Sequence, residues 1–184
     1  LTLSNLDEAE RSEGDSAAAA LGAREPIDLP LMLDGIVQRL EQVASRSEID
    51  LDLDCAPAMV TGVPRLVDEL AYNLPSNAIR YNHPGGSVTL SCGVEATPDC
   101  DCPTPFIRVA DTGIGIAPEE QEKIFERFYR VDKSRSKARG GTGLGLAIVK
   151  HAASYHGACI ELESELGCGT TITVRFPAQE QIEV

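Results

Sequence analysis

Two glycine-spaced runs, DTGIG at 111–115 and GGTGLGL at 140–146, constrain this chain more than any other feature. The first lets backbone turn tightly beside Asp111, whose carboxylate can accept hydrogen bonds from an exocyclic amine. The second leaves backbone N–H groups uncovered just where a helix-periodic segment begins, and a helix N-terminus favours phosphate. Between the runs lie the cations Arg130, Lys133, Arg135, Lys137 and Arg139. The order reads as a nucleotide pocket with base at one end, phosphate at the other and a movable cover between. Competing phosphate loops are excluded by inspection. GGTGLGL is not G-x-G-x-x-G, no Gly-Lys-Ser/Thr follows it, and no strand leads directly into it.

Charge limits the ligand further. A formal net charge of −13 over 184 residues argues against nucleic acid or an anionic membrane as the main partner, so a polyanion must be held by local cations. No apolar run approaches the roughly 20 residues that span a bilayer, and no signal peptide opens the chain, so the expectation is a soluble protein. The cysteines Cys55, Cys92, Cys100, Cys102, Cys159 and Cys168 lack the paired spacing of a structural zinc site and read as reduced, buried thiols of a cytosolic protein.

Taken in order, residues 1–9 have the spacing of the end of a helix, 10–24 read as a linker, 25–178 as the folded domain and 179–184 as a tail. Within the domain the patterning predicts strands at 26–29, 48–53, 87–94, 106–110, 158–163 and 170–176. It predicts helices at 31–46, from Pro64 to about Tyr81, and from the second glycine run to about His156, and a loop over 95–105. Strands and helices without strict alternation imply an α/β layer structure.

The helix opened by Pro64 contains ELAYNLPSNAIRY, which puts Glu69, Asn73, Asn77 and Arg80 on one face beside the apolar stripe Leu66, Leu70, Leu74 and Ala78. Stacked Asn residues have no propensity reason to sit in a helix. Their amide oxygens suit a hard cation such as Mg²⁺, which shares its remaining positions with water and substrate phosphates, and Arg80 would add positive charge there.

ELAYNLPSNAIRY resembles the N box, DTGIGIAPEE the first glycine box, IFERFYR the F box, GGTGLGLAIVK the second glycine box and GCGT the third. They stand in the order found in the catalytic, ATP-binding domain of bacterial sensor histidine kinases, within the ATPase superfamily shared with gyrase, a heat-shock chaperone and mismatch-repair proteins. LTLSNLDEAE is similar to the last turns of the second helix of the kinase dimerisation domain.

The resemblance implies a Bergerat-type two-layer sandwich, a mixed sheet of about five strands with three helices on one face. It implies Asn77 as the principal Mg²⁺ ligand with Asn73 assisting, and Arg80 and Tyr81 along phosphates and sugar. Asp111 would receive the adenine amine, with Gly113, Gly115 and Ile116 shaping that end and Thr170 near the adenine floor. Gly141, Thr142, Gly143, Leu144, Gly145 and Leu146 would close over the triphosphate, with Lys133 and Arg135 reaching the phosphates from a lid at 116–139. Phe125, Phe128 and Tyr129 could equally be lid or core aromatics.

In hydrolytic relatives the residue matching Glu69 prepares a water; in a kinase Glu69 instead orients the Asn73 region or acts on the acceptor. Pro75 departs from a regular helix, where it removes the bond to the carbonyl of Ala71 and costs about 3 kcal/mol or bends the helix, though on the face opposite the Asn pair. His83 falls in a turn, and His151 and His156 read as C-terminal-turn histidines favoured by the helix dipole. None lies in a phosphoacceptor-like sequence, so the expected partners are the kinase's own dimerisation and phosphoacceptor domain and a response regulator. The fragment is expected to be a cytoplasmic monomer and the parent a membrane-anchored homodimer. The alternatives are a stand-alone ATP hydrolase and a non-catalytic nucleotide-binding regulator.

Overall fold

The computed structural model describes residues 22–97, 100–130 and 143–178. The expected helix tail at 1–9, nearly all of the linker, the tail at 179–184, and Lys133, Arg135, Lys137, Arg139, Gly140, Gly141 and Thr142 lie outside the described residues. Helix α1 (Leu29–Arg46) starts on the side chain of Asp28, which accepts from the Leu31 N–H at 3.0 Å, with Pro30 in the first turn. Leu33, Ile36 and Leu40 recur at helical spacing and are fully or almost fully buried, each contributing about 1.5–3 kcal/mol of transfer free energy. Helix α2 (Pro64–Arg80) buries Leu66, Leu70, Leu74 and Ala78, and α3 (Gly145–Tyr155) buries Ala147, Val149, Ala152 and Ala153.

Strands β1 (Glu25–Asp28) and β3 (Met59–Gly62) form a small antiparallel pair. The remaining strands, β2 (Asp50–Cys55), β4 (Ser87–Thr97), β5 (Cys100–Asp111), β6 (Cys159–Glu165) and β7 (Gly169–Arg175), make one sheet in the order β2-β4-β5-β7-β6. β2 runs parallel to β4 and every other neighbour is antiparallel, so the sheet is mixed as expected. α1 packs on β2 and β4, α2 on β4 and β5, and α3 on β6 and α2. Val88, Leu90, Ile107, Val109, Ile172 and Val174 face these helices and form the core.

The opposite face of the sheet is polar. There Glu95 accepts from Arg108 at 2.9 Å and from Arg175 at 3.0 Å, and Arg175 also reaches Glu161 at 2.8 Å. The Glu95 carboxyl is held below its usual range chiefly by the bond from Arg108. Phe106 lies under both guanidiniums and fills the space over Gly93.

Four local expectations are corrected. The predicted loop at 95–105 is instead the end of a long β4–β5 hairpin, paired as far as Thr97 opposite Cys100. Its prolines are tolerated because β7 leaves off at the Phe106–Arg175 pair, with a last bond from the Phe176 N–H to the Pro105 carbonyl at 2.8 Å, so β5 needs no N–H from Pro103 or Pro105 on that side. The short strand β3, which pairs with β1, was not among the predicted strands. Among the cysteines whose side chains are described, Cys159 and Cys168 are exposed, Cys92 is buried and Cys55 lies between.

His156 is no charged, dipole-favoured histidine. It is buried, its Nε2 accepts from the Val63 N–H at 3.0 Å, and its Nδ1 lies 2.7 Å from the Ala152 carbonyl, an arrangement that only the neutral Nδ1–H imidazole satisfies. Burial pushes its pKa down, and the charge of Arg24 works in the same direction. Gly62 passes so close to this ring that a Cβ would come within 2.7 Å of Nε2. His156 therefore bolts the C-terminus of α3 to the N-terminus of α2. Pro75 is buried in the core, and α2 continues through it to Arg80. Among the described residues no helix is long and apolar enough to cross a membrane.

Candidate nucleotide-binding site

Helix α2 presents Glu69, Asn73, Asn77 and Arg80 half-buried on one side of its apolar stripe. The Asn73 amide nitrogen donates to the Glu69 carbonyl at 2.7 Å. That bond fixes the amide's orientation and turns Asn73 Oδ1 outward. Opposite stands the first residue of α3. A Cβ built on Gly145 would lie 2.9 Å from Asn73 Oδ1 and 3.0 Å from Asn77 Nδ2, so the second glycine run meets the Asn pair with room for backbone alone. Leu144 precedes the helix without a side-chain cap, which leaves the first N–H groups of α3 uncapped by Leu144. Leu146, half-buried, packs against the core and anchors that turn.

Asp111 ends β5 on the helix-facing side, directly across from Val88 on β4 and Thr170 on β7. Its Oδ1 accepts from the Gly113 N–H at 2.8 Å. Burial raises its pKa from the ordinary 3.8, against hydrogen bonds from the Gly113 and Thr170 backbones that lower it. The loop that follows is fitted closely to its surroundings. Gly115 (φ 65°) and Gly169 (φ 123°) adopt backbone that favours glycine, and a Cβ on either would overlap a carbonyl oxygen, of Glu165 and Asp111 respectively. The Ile114 N–H donates to the Tyr81 carbonyl at 3.1 Å, so the first glycine box is tied to the end of α2. Tyr81 takes part through its main chain, and the residue is 37% exposed.

Ser164, Gln121 and Asn82 were not visible as site residues in the sequence. Ser164 Oγ accepts from the Ile116 N–H at 2.8 Å, and Gln121 Nε2 donates to the carbonyls of Ile116 at 3.1 Å and Ser164 at 3.0 Å. Asn82, buried, donates to the Ser87 carbonyl at 2.9 Å and accepts from the His83 N–H at 2.9 Å, holding the turn against which Gly113 packs. One signal for Ser164 was present: it is the lone hydroxyl on a strand face otherwise made by Ile160 and Leu162.

The segment expected as a lid begins as two single 3-10 turns, Pro118–Glu120 and Lys123–Phe125, with the Tyr129 hydroxyl bonded to Glu120. Phe128 is 70% exposed, which removes it from the core aromatics. Its φ of 63° lets its N–H donate to the Gly143 carbonyl at 2.9 Å, so residues 128 and 143, on either side of 131–142, are pinned together. Arg130 is the one expected lid cation among the described residues, and its Nε and one NH group are buried without a hydrogen-bond partner. Buried N–H groups without an acceptor are costly, and an anion such as phosphate would complete these two. No three His, Cys, Asp or Glu side chains converge on a metal position among the described residues. The outward Asn73 oxygen and the narrow Gly145 approach instead suit a hard cation shared with phosphate.

Residues 62–180 match the sequence model of the family described as histidine kinase-, DNA gyrase B-, and HSP90-like ATPase. The sensor-like histidine kinase SenX3 of Mycolicibacterium smegmatis is 39% identical over 176 residues, covering 95% of this chain and 44% of that protein. The sensor protein SrrB of Staphylococcus aureus is 40% identical over 114 residues, covering 62% of this chain and 18% of that protein. The chain thus spans less than half the length of either relative. The solved structure of the mycobacterial sensor histidine kinase MprB has a TM-score of 0.69 at 29% identity, over 84% of this chain and 97% of that one.

Proposed function

The chain belongs to the family of histidine kinase-, DNA gyrase B- and HSP90-like ATPases, and from that premise we propose that it is the ATP-binding catalytic domain of a sensor histidine kinase. It transfers the γ-phosphoryl group of ATP to a histidine on a dimerisation domain. The observation that carries this reading is the meeting of Gly145, at the start of α3, with the outward amide of Asn73 and with Asn77. The relatives it resembles are named a sensor-like histidine kinase and a sensor protein, which favours this over a stand-alone hydrolase or a regulator.

In this reading Asp111 accepts the adenine amine over a floor at Thr170, while Gly113, Gly115 and Ile116 give that end its shape. Tyr81 and Arg80 follow the sugar and phosphates. Gly143, Leu144, Gly145 and Leu146, together with Gly141 and Thr142, enclose the triphosphate beneath the α3 N-terminus. Asn77 and Asn73 would hold Mg²⁺, which when bound neutralises phosphate charge. Arg130 joins Lys133 and Arg135 as a proposed phosphate contact. Holding donor and acceptor in line supplies most of the remaining advantage, because phosphoryl transfer asks little covalent chemistry of the protein. The backbone carbonyl of Glu69 accepts from the Asn73 amide and helps orient it. The carboxylate itself lies 3.6 Å from Arg65. The whole protein would be a membrane-anchored homodimer with this domain in the cytoplasm, passing its phosphoryl group to a response regulator.

The test combines this chain, γ-labelled Mg-ATP and a separately produced dimerisation helix pair bearing an acceptor histidine. Phosphohistidine on the helix pair is expected. Rapid phosphate release without acceptor would make the chain a hydrolase, and binding with neither outcome would make it a regulator.

A further inference from the structure

Cys55, the last residue of β2, stands in register with Cys92 of the parallel strand β4. Partners on neighbouring strands lie about 4.8 Å apart and send their side chains to the same face, which puts this pair inside the Cα separation of about 4.4–6.8 Å that a disulfide spans. The face is the helix-facing one, since Val88, Leu90 and Cys92 follow one another at alternate positions and all three are buried. Both thiols are free. The Cys92 thiol donates to the Ala56 carbonyl at 3.8 Å and the Ala56 N–H donates to the Cys92 carbonyl at 2.8 Å, so the end of β2 is held against Cys92. Burial above all, and then the neighbouring Cys55 thiol, push the Cys92 pKa up.

No other pair among the described cysteine side chains is so placed. Cys159 and Cys168 are exposed towards opposite ends of β6, a strand of 7 residues and about 20 Å of extended chain. Cys100 and Cys102 stand further along β5, towards the hairpin turn from Ile107, the residue paired with Cys92. The two matched thiols differ in access. Cys55 is half-buried and is the point of entry, whereas Cys92 is 2% exposed and is the sulfur that resolves what forms on Cys55.

We propose that Cys55 and Cys92 are a reversible modification site: a low-molecular-weight disulfide oxidises them to a Cys55–Cys92 bond that staples β2 to β4. The Cys55 thiol gives its proton to solvent and attacks one sulfur of the small disulfide, whose other half leaves as a thiolate and takes up a proton. The Cys92 sulfur then loses its proton and attacks the Cys55 sulfur, forming the intramolecular bond and releasing the second half of the reagent as a thiol. Two protein thiols are oxidised by two electrons, and one small disulfide is reduced to two thiols. The ring so closed contains β3 and the whole of α2, the helix that bears Asn73 and Asn77. The assignment rests on the β2–β4 register and not on the nucleotide reading.

For the test, the folded full chain is incubated with oxidised glutathione and quenched in acid, the remaining thiols are alkylated, and the peptides are mapped by mass. A peptide pair joined through Cys55 and Cys92 is expected, lighter than the two reduced peptides by two hydrogens and separated again by dithiothreitol. The exposed Cys159 and Cys168 should carry glutathione, which shows that the oxidant was active. Cys92→Ala should stop the reaction at glutathione on Cys55, and Cys55→Ala should leave Cys92 unmodified. In thermal melts, oxidation should raise the Tm of the parent by about 5–10 °C, the scale of a cross-link closing a loop of this length, and should raise that of neither variant. Cys55 and Cys92 recovered on separate peptides, alkylated or each carrying glutathione, would overturn the proposal. That mapping uses the unaltered chain, so it decides whether or not the variants fold. An equal rise in Tm in the Cys55→Ala variant would overturn the staple as well.

Discussion

Gly145→Ala is expected to leave the fold standing and to weaken Mg-ATP binding about 100-fold, ~2.8 kcal/mol. The added Cβ would sit 2.9 Å from Asn73 Oδ1 and 3.0 Å from Asn77 Nδ2. Both neighbours are the tips of side chains, so they can swing away at little cost, and alanine is a better helix former than glycine at the start of α3. What is lost is the position of the two amides. The measurement is a pair of titrations with ATP, one in Mg²⁺ and one in chelator, alongside a thermal melt. The loss should fall on the Mg²⁺-dependent part, with Tm within a few degrees of the parent. An unchanged Mg-ATP affinity would remove Asn73 and Asn77 from the metal position.

Asp111→Asn should separate binding from stability. The Asp111 carboxylate accepts from the Gly113 and Thr170 backbones and is proposed to accept the adenine amine as well. An asparagine has one acceptor oxygen and one NH₂, so it sets a donor against either the backbone N–H groups or the amine. ATP affinity should fall about 10- to 100-fold, corresponding to 1.5–3 kcal/mol for a hydrogen bond to a charged group. Stability should move the other way. Because burial raises the folded pKa of Asp111 above 3.8, its contribution is most favourable below that value and is lost as pH rises through the raised folded value. The variant lacks this loss. In denaturant melts, its stability relative to the parent should therefore improve as pH rises from acid towards neutrality. A relative stability that declines over that range, or an undiminished ATP affinity, would contradict the assignment.

Much of this site was legible because it depends on periodicity and on glycine. The spacing of Glu69, Asn73, Asn77 and Arg80 needs only 3.6 residues per turn to share a face, and α2 keeps it through Pro75. Gly115 and Gly169 stand where backbone touches backbone, which no other residue allows. What stayed hidden depends on contacts between distant segments. His156 reads as a helix-end histidine until the Val63 N–H is brought to its ring from 93 residues away. The β4–β5 hairpin was masked by prolines whose tolerance depends on where a third strand leaves off. Phe128 carries an aromatic's core propensity, yet its positive φ is spent on the bond to Gly143, which puts the ring outside. Ser164 and Gln121 act through main-chain groups of Ile116, and such bonds leave almost no mark in a sequence.

The central claim, that nucleotide brings a divalent cation to the Asn pair of α2, is tested most directly by paramagnetic broadening. Mn²⁺ with ATP is titrated into ¹⁵N-labelled chain while the side-chain amide resonances are followed. The account predicts that the NH₂ signals of Asn73 and Asn77 vanish first and only when ATP is present, while that of Gln38 on α1 persists. Signals of Asn73 and Asn77 that outlast the others, or that broaden equally without ATP, would contradict it.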